Sequence, residues 1–390
     1  MKGLKKHKVS LVVFGLGLVG LALGSTLEKP GLLPPTARMF NLLGWFFIGF
    51  GLTLFSFKRN WAVPANVFLL GSMVLALELF CFFSLGMPAR PHKVYKEVKH
   101  PDGHIQKEIG NLPLANTEIQ DVKVLGEGDT AFKVTYEIDQ YSRRTTPKVD
   151  SAQEYALFFG CSIAFGHGVE NFENLPGQYQ AVCNGVASYN YAHRGQGTNH
   201  MLARLQHHNL REQVREESGK AFYIFFWDHI YRAIGSMERY TDWLYNAPYY
   251  KLEDGKLVRD GSFRSGRKAV SWFYEKVFQT SIVRYFEIGF PIELNESHFN
   301  LIAEMILESK KAYAEQFGND EFYMVVHPTF VHYTPEEFEA FLKTVESKGI
   351  QVFDYKNVVE YGGKYTLRGD PHPSPTTYKL VAEALCNDVN

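Results

Sequence analysis

The chain predicts an α/β protein with a mostly parallel sheet, preceded by an apolar N-terminal region. Three observations point there. From Glu154 to the C-terminus, short apolar runs of strand length alternate with helical segments, as in a parallel sheet covered on both faces. Three longer apolar stretches, Val9 to Leu27, Phe40 to Phe57 and Val63 to Gly86, crowd into the first quarter. Between these regions, residues 88–150 show period-2 alternation and turn signals, which predict a β-rich connector.

Each N-terminal stretch is long enough to cross a bilayer, which takes ~20 residues. Lys2, Lys5, Lys6 and Lys8 precede the first, and Lys58 with Arg59 separates the second from the third. Both basic groups are expected to face the cytoplasm, so three transmembrane helices place the C-terminal part outside it. Ala22-Leu23-Gly24 is a tolerable signal-peptidase site, but cleavage there leaves the large domain on the same side. Glu78 interrupts the third stretch, as an intramembrane functional group or as a carboxyl neutralised or hydrogen-bonded between helices. The expected organisation is a membrane anchor over 1–87, a connector over 88–150 and an α/β domain over 151–390.

In the connector, Phe132 to Ile138 alternates as a strand and Pro101-Asp102-Gly103 marks a turn. Buried parallel strands are expected at Tyr155 to Phe159, closed by Gly160, then at Ala221 to Trp227, Phe322 to Val326 and Gln351 to Tyr355. Thr334-Pro335-Glu336-Glu337 opens a helix with a cap residue, a proline in the first turn and a glutamate at the third position, and Gly349 follows its end. Ser374-Pro375 opens the last helix, with Tyr378, Val381, Ala382 and Leu385 on one face. Residues 240–299 break the rhythm. They are aromatic-rich, carry a hairpin signal at Glu253-Asp254-Gly255-Lys256, and read as an insertion, either a substrate lid or an elaboration with its own aromatic core.

The net charge of −1 comes with no basic stripe, which excludes nucleic acid as an expected partner. The four cysteines, Cys81, Cys161, Cys183 and Cys386, contain no CxxC pair, so neither metal nor cofactor is expected. Their spacing leaves a Cys161–Cys183 disulfide open in an oxidising compartment.

Chemistry is expected where Gly160-Cys161-Ser162 ends the first strand of the domain, because parallel sheets place their sites at the carboxyl ends of strands. A serine hydroxyl needs an imidazole to take its proton and a carboxylate to orient that ring. Asp370 and His372 stand two residues apart just before the last helix and fill those roles with Ser162. His167, His207, His208 and His327 have no metal-ligand spacing and read as loop, helix-end and strand-end residues, with pocket lining the alternative for His167, which is close in sequence to Ser162.

Phe159 to Gly168, with Glu170-Asn171 and Leu175-Pro176, resembles the first conserved block of the SGNH family, the GDSL-like esterases and lipases, with Ser162 at the nucleophile and Cys161 in place of the usual aspartate. Asn190 to Thr198 resembles the second block, where Gly195 matches the oxyanion-hole glycine and Gly197 is the fallback. Gly369 to Ser374 is similar to the terminal block. The third block departs. Asp228, in Phe226-Trp227-Asp228-His229, occupies the place of the family's asparagine, and an ionised carboxylate cannot donate to an oxyanion. Either the Ser162 and Gly195 amides suffice, or His229 donates, or Asp228 is protonated, binds a substrate hydroxyl or pairs with Arg232. If asparagine is the better donor, Asp228→Asn preserves or raises activity.

The resemblance implies a three-layer α/β/α flavodoxin-like domain. It also implies a serine esterase cleaving an acyl ester, with glycan and lipid as candidate substrates, through an acyl-serine intermediate. The resemblance begins near Tyr136 and does not reach the apolar stretches, whose basic flanks alone carry the expectation of a membrane-anchored, extracytoplasmic enzyme. O-acyl transfer to a cell-surface glycan, and a catalytically degenerate glycan- or lipid-binding module, are the alternatives.

Overall fold

The computed structural model describes residues 43–50, 62–85, 104–330 and 332–389, with a few helical positions between 13 and 22. It divides into two units, residues 1–92 with 277–288, and residues 93–276 with 289–390. Most of the first two apolar stretches, their basic flanks and the Pro101-Asp102-Gly103 turn fall outside the described residues.

In the first unit, helix α1 (Ala62–Ser84) occupies the third apolar stretch. Among the described residues no helix is long and apolar enough to cross a membrane. Glu78 is buried, and its carboxylate accepts the Ser281 and Ile282 amides at 2.5 and 2.9 Å. Those amides are orphan donors at the start of the short helix Ser281–Tyr285, so the carboxylate acts as a cap supplied from another segment. Of the two readings of Glu78, the hydrogen-bonded carboxyl holds, with the insertion's backbone as its partner.

The second unit is built on a five-stranded parallel sheet. Its strands are β5 (Glu154–Phe159), β6 (Val186–Asn190), β7 (Ser218–Phe225), β10 (Phe322–Val326) and β11 (Gln351–Asp354), in the spatial order β6-β5-β7-β10-β11. Counted in chain order this is 2-1-3-4-5, the flavodoxin-like arrangement, with its switch point at β5. Successive side chains on a strand leave opposite faces, and two cores result. Tyr155, Leu157, Phe159, Tyr223, Phe225, Met324 and Val326 pack on one side with Leu202, Ile302 and Phe341. Ala156, Phe158, Phe222, Ile224 and Val325 pack on the other with Tyr179, Tyr378 and Val381.

Helices packing on the two faces include α2 (Ser162–Phe165), α3 (Leu175–Val182), α4 (Thr198–His207), α5 (Asp228–Ile234), α6 (Glu296–Phe317), α7 (Pro335–Glu346) and α8 (Pro375–Val389). Helix α7 carries the expected capping box, with the Thr334 side chain accepting from the Glu337 amide. Helices α3 and α8 lie together on the second face, and Cys183 and Cys386 form a disulfide between them with Cα atoms 5.8 Å apart. This replaces the Cys161–Cys183 pairing: Cys161 sits at the carboxyl end of β5, buried and reduced.

Four shorter strands complete the chain order. β1 (His104–Gln106) pairs with β2 (Gly110–Leu112), and β3 (Thr117–Val124) pairs antiparallel with β4 (Thr130–Ile138). The β3–β4 ribbon contributes Ile119, Phe132, Val134 and Tyr136 to the second core, so it packs on the α/β sheet. In the insertion, β8 (Pro248–Glu253) and β9 (Lys256–Ser262) form the expected hairpin, its turn made by Asp254 and Gly255 at φ 50° and 75°. Tyr240, Leu244, Ala247 and Phe263 pack with Tyr249 and Tyr274 into a small core of their own.

Candidate active site

Strand β5 delivers the serine. After Phe159 the chain turns at Gly160, whose φ is 151° and where a Cβ would lie 2.9 Å from the Ile224 carbonyl. Only glycine passes so close to the neighbouring strand. Ser162 then opens α2, which is pinned in place by the Tyr378 hydroxyl donating to the Ile163 carbonyl at 2.9 Å and by the Asn190 amide donating to Ala164 at 3.0 Å.

Ser162, His372 and Asp370 converge across 210 residues of chain. His372 Nε2 lies 2.8 Å from Ser162 Oγ, and His372 Nδ1 lies 2.5 Å from Asp370 Oδ1. An ionised carboxylate only accepts. Nδ1 therefore carries the proton, and Nε2 is left to accept from the serine hydroxyl. Burial alone would raise the Asp370 pKa. The hydrogen bond and charge of His372, and then the Lys123 ammonium, overcome that and hold the carboxyl well below the usual carboxylate range.

Gly195 sits in the loop after β6 at φ 77°. Its carbonyl accepts from Trp243 Nε1 at 3.0 Å, so one aromatic residue of the insertion reaches the site, while Tyr250 and Phe299 pack in the core of the α/β domain. Asp228 follows β7 at the neighbouring strand end. Arg232 Nε donates to one of its oxygens at 2.6 Å and Arg239 Nε to the other at 2.7 Å. Pairing with Arg232 is thus the alternative that holds, and Asp228 presents no donor. The His229 ring is buried, with Nδ1 2.8 Å from the Tyr223 hydroxyl, and burial drives its pKa well below the usual histidine value. Arg232 also donates to the Gln196 carbonyl at 2.7 Å, tying the Asp228 turn to the Gly195 loop. Cys161 is fully buried, with its sulfur 4.0 Å from Ser162 Oγ.

Further neighbours complete the site: His167, whose proximity to Ser162 in sequence makes it a pocket candidate, and Arg144 and Lys123, which sequence reasoning misses. The His167 ring lies against His372 with centroids 4.4 Å apart. Burial first, then the proximity of His372 and Arg194, lowers its pKa to about 3, so it is neutral. Arg144, fully buried beneath the loop after α2, donates to the carbonyls of Phe165, Gly166 and Val169 at 2.7, 2.5 and 2.6 Å. Lys123 Nζ lies 2.7 Å from Asp370 Oδ2. Ligand atoms of His167, Asp370 and His372 come within 4.8 Å of one another, a grouping of metal-ligand residue types. Both His372 nitrogens are already engaged by Ser162 and Asp370.

No family model and no curated protein matches the chain. Solved structures similar to it include a member of the lipolytic protein G-D-S-L family from Veillonella parvula DSM 2008, at 12% identity and TM-score 0.33, covering 60% of this chain and 96% of that one. An acetyl xylan esterase, Est2A, from Butyrivibrio proteoclasticus is similar at 9% identity and TM-score 0.35, over 63% of this chain and 65% of that one. The alpha/beta hydrolase LAE5 from the Lake Arreo metagenome is similar at 11% identity and TM-score 0.32, over 62% of this chain and 98% of that one. The class is defined by the strand order itself: an α/β fold with a five-stranded parallel sheet and a serine–histidine–aspartate array at its switch point.

Proposed function

We propose that the protein is a serine esterase of the SGNH type, anchored in a membrane with its α/β domain outside the cytoplasm. The observation that carries this reading is the continuous hydrogen-bond array from Ser162 through His372 to Asp370. In the proposed reaction, Ser162 Oγ attacks the ester carbonyl as its proton passes to His372 Nε2, and Asp370 stabilises the resulting imidazolium. The amides of Ser162 and Gly195 are the donors to the oxyanion. Collapse transfers the imidazolium proton to the departing alcohol and leaves an acyl-serine. Water, deprotonated by His372, attacks that ester, releasing the acid and restoring the serine.

Asp228 supports a working site over a degenerate one. Its charge is matched by Arg232 and Arg239, so it does not stand unopposed beside a developing oxyanion. The Cys183–Cys386 disulfide supports an oxidising compartment, in agreement with the orientation read from the N-terminal lysines.

The test is labelling of the full-length protein with a fluorophosphonate, which captures only an activated serine. Ser162→Ala is expected to abolish labelling, and His372→Ala to slow it by at least about a thousandfold. Undiminished labelling of the Ser162→Ala protein would reject the assignment.

A further inference from the structure

Asp121 and Lys123 stand two residues apart on β3, so their side chains leave the same face of the ribbon. Both reach the active array, from a strand outside the parallel sheet. Lys123 Nζ meets Asp370 Oδ2 at 2.7 Å, with side chains only 14% and 6% exposed. Asp121 Oδ2 accepts from Arg194 Nη1 at 2.9 Å and from the Tyr136 hydroxyl at 3.1 Å, and Arg194 immediately precedes Gly195. The ribbon's register shifts between Lys123 and Val124, whose partners are Phe132 and Thr130. Such a bulge re-aims the side chain beside it. Just beyond, Leu125 packs so closely on Gly369 that a Cβ there would come within 2.5 Å of it. The loop bearing Asp370 is therefore seated on the ribbon by packing as well as by charge.

We propose that Lys123 is a positioning residue for the Ser162–His372–Asp370 array, holding the Asp370 carboxylate on His372 and setting the pH range in which His372 accepts the serine proton. This rests on the esterase reading above. A carboxylate held only through Oδ1 can rotate away from the ring; with Oδ2 on Lys123, both oxygens are fixed. The groups around the His372 ring are Asp370 with Lys123 behind it, His167 on its face, Asp121 and Arg194 beyond His167, and Tyr361, which donates to the Pro371 carbonyl. His167 is neutral, and Asp121 and Arg194 offset each other. Lys123 is thus the cation that opposes Asp370. Without it, the unopposed carboxylate favours the protonated ring, and the proton-accepting form is reached only at higher pH.

The experiment measures fluorophosphonate labelling rates from pH 5 to 9 for the full-length wild type, Lys123→Met and Lys123→Arg. In Lys123→Met the acid limb is expected to move up by about one pH unit. Labelling on that limb then slows about tenfold while the rate at pH 9 stays near wild type, and Lys123→Arg restores the wild-type profile. A limb that does not move, or an equal loss at every pH, would overturn the proposal. A second readout needs no activity: acetylation by an N-hydroxysuccinimide ester, located by mass spectrometry. Lys123 is expected to be protected in the wild type and released in Asp370→Asn, whereas modification in the wild type as fast as at the exposed Lys379 would overturn the pairing. A wild type that takes no label removes the esterase reading, and the acetylation pattern then upholds or overturns the brace by itself.

Discussion

Asp228 shows how far a single residue can be read from sequence. Its position marks a departure from the family pattern, and an asparagine there promises a better oxyanion donor. Its surroundings reverse that expectation. Two guanidiniums share the carboxylate, and Arg232 is buried while Arg239 is about a quarter exposed. Removing the charge leaves Arg232 buried and unpaired, which costs about 2–3 kcal/mol, toward the low end for a buried pair because Arg239 can turn to solvent. Asp228→Asn is therefore expected to lower the denaturation midpoint in urea and to slow fluorophosphonate labelling. Unchanged stability with faster labelling would return the donor role to that position. Ser162, Asp370 and His372 were legible because each lies in a short local motif at an element boundary. Lys123 and Trp243 were not, because their roles depend on contacts that no spacing encodes: Lys123 lies 247 residues from Asp370.

At the scale of elements, the strands with unbroken apolar runs were readable, since β5, β7 and β10 are buried on both faces. Strand β6 was missed. It lies at the sheet edge and carries Ser188 and Asn190, so its five residues lack the continuous apolar signal of a central strand. The capping box of α7 and the Asp254-Gly255 turn were legible because caps and turns are local chemistry. The disulfide was not, because it depends on α3 and α8 packing side by side across a sequence separation of 203 residues. A crosslink closing so long a loop constrains the unfolded chain strongly. Cys386→Ser is expected to cost roughly 2–5 kcal/mol, seen as a lower thermal midpoint that reductant no longer changes. Equal midpoints for the oxidised wild type and the variant would show that this bridge contributes no stability.

For the whole molecule, the alternation of strands and helices predicts a parallel sheet but leaves strand order open, because several arrangements satisfy the same pattern. The observed order puts β5 at the switch point, which is why the serine following it is the one presented in the crevice. Orientation across the membrane is an electrostatic matter instead. In the proposed topology, lysines before the first apolar stretch and the Lys58-Arg59 pair after the second stay on the cytoplasmic side. Three crossings, as proposed, would place the α/β domain opposite them, where a Cys183–Cys386 disulfide would persist. A reporter fused after Asn390 is expected to be active only if it functions outside the cytoplasm. Cysteine trapping in intact cells should find Cys183 and Cys386 oxidised. Activity of a cytoplasm-restricted reporter at that position, together with reduced cysteines, would put the domain on the other side and confine its substrate to esters inside the cell.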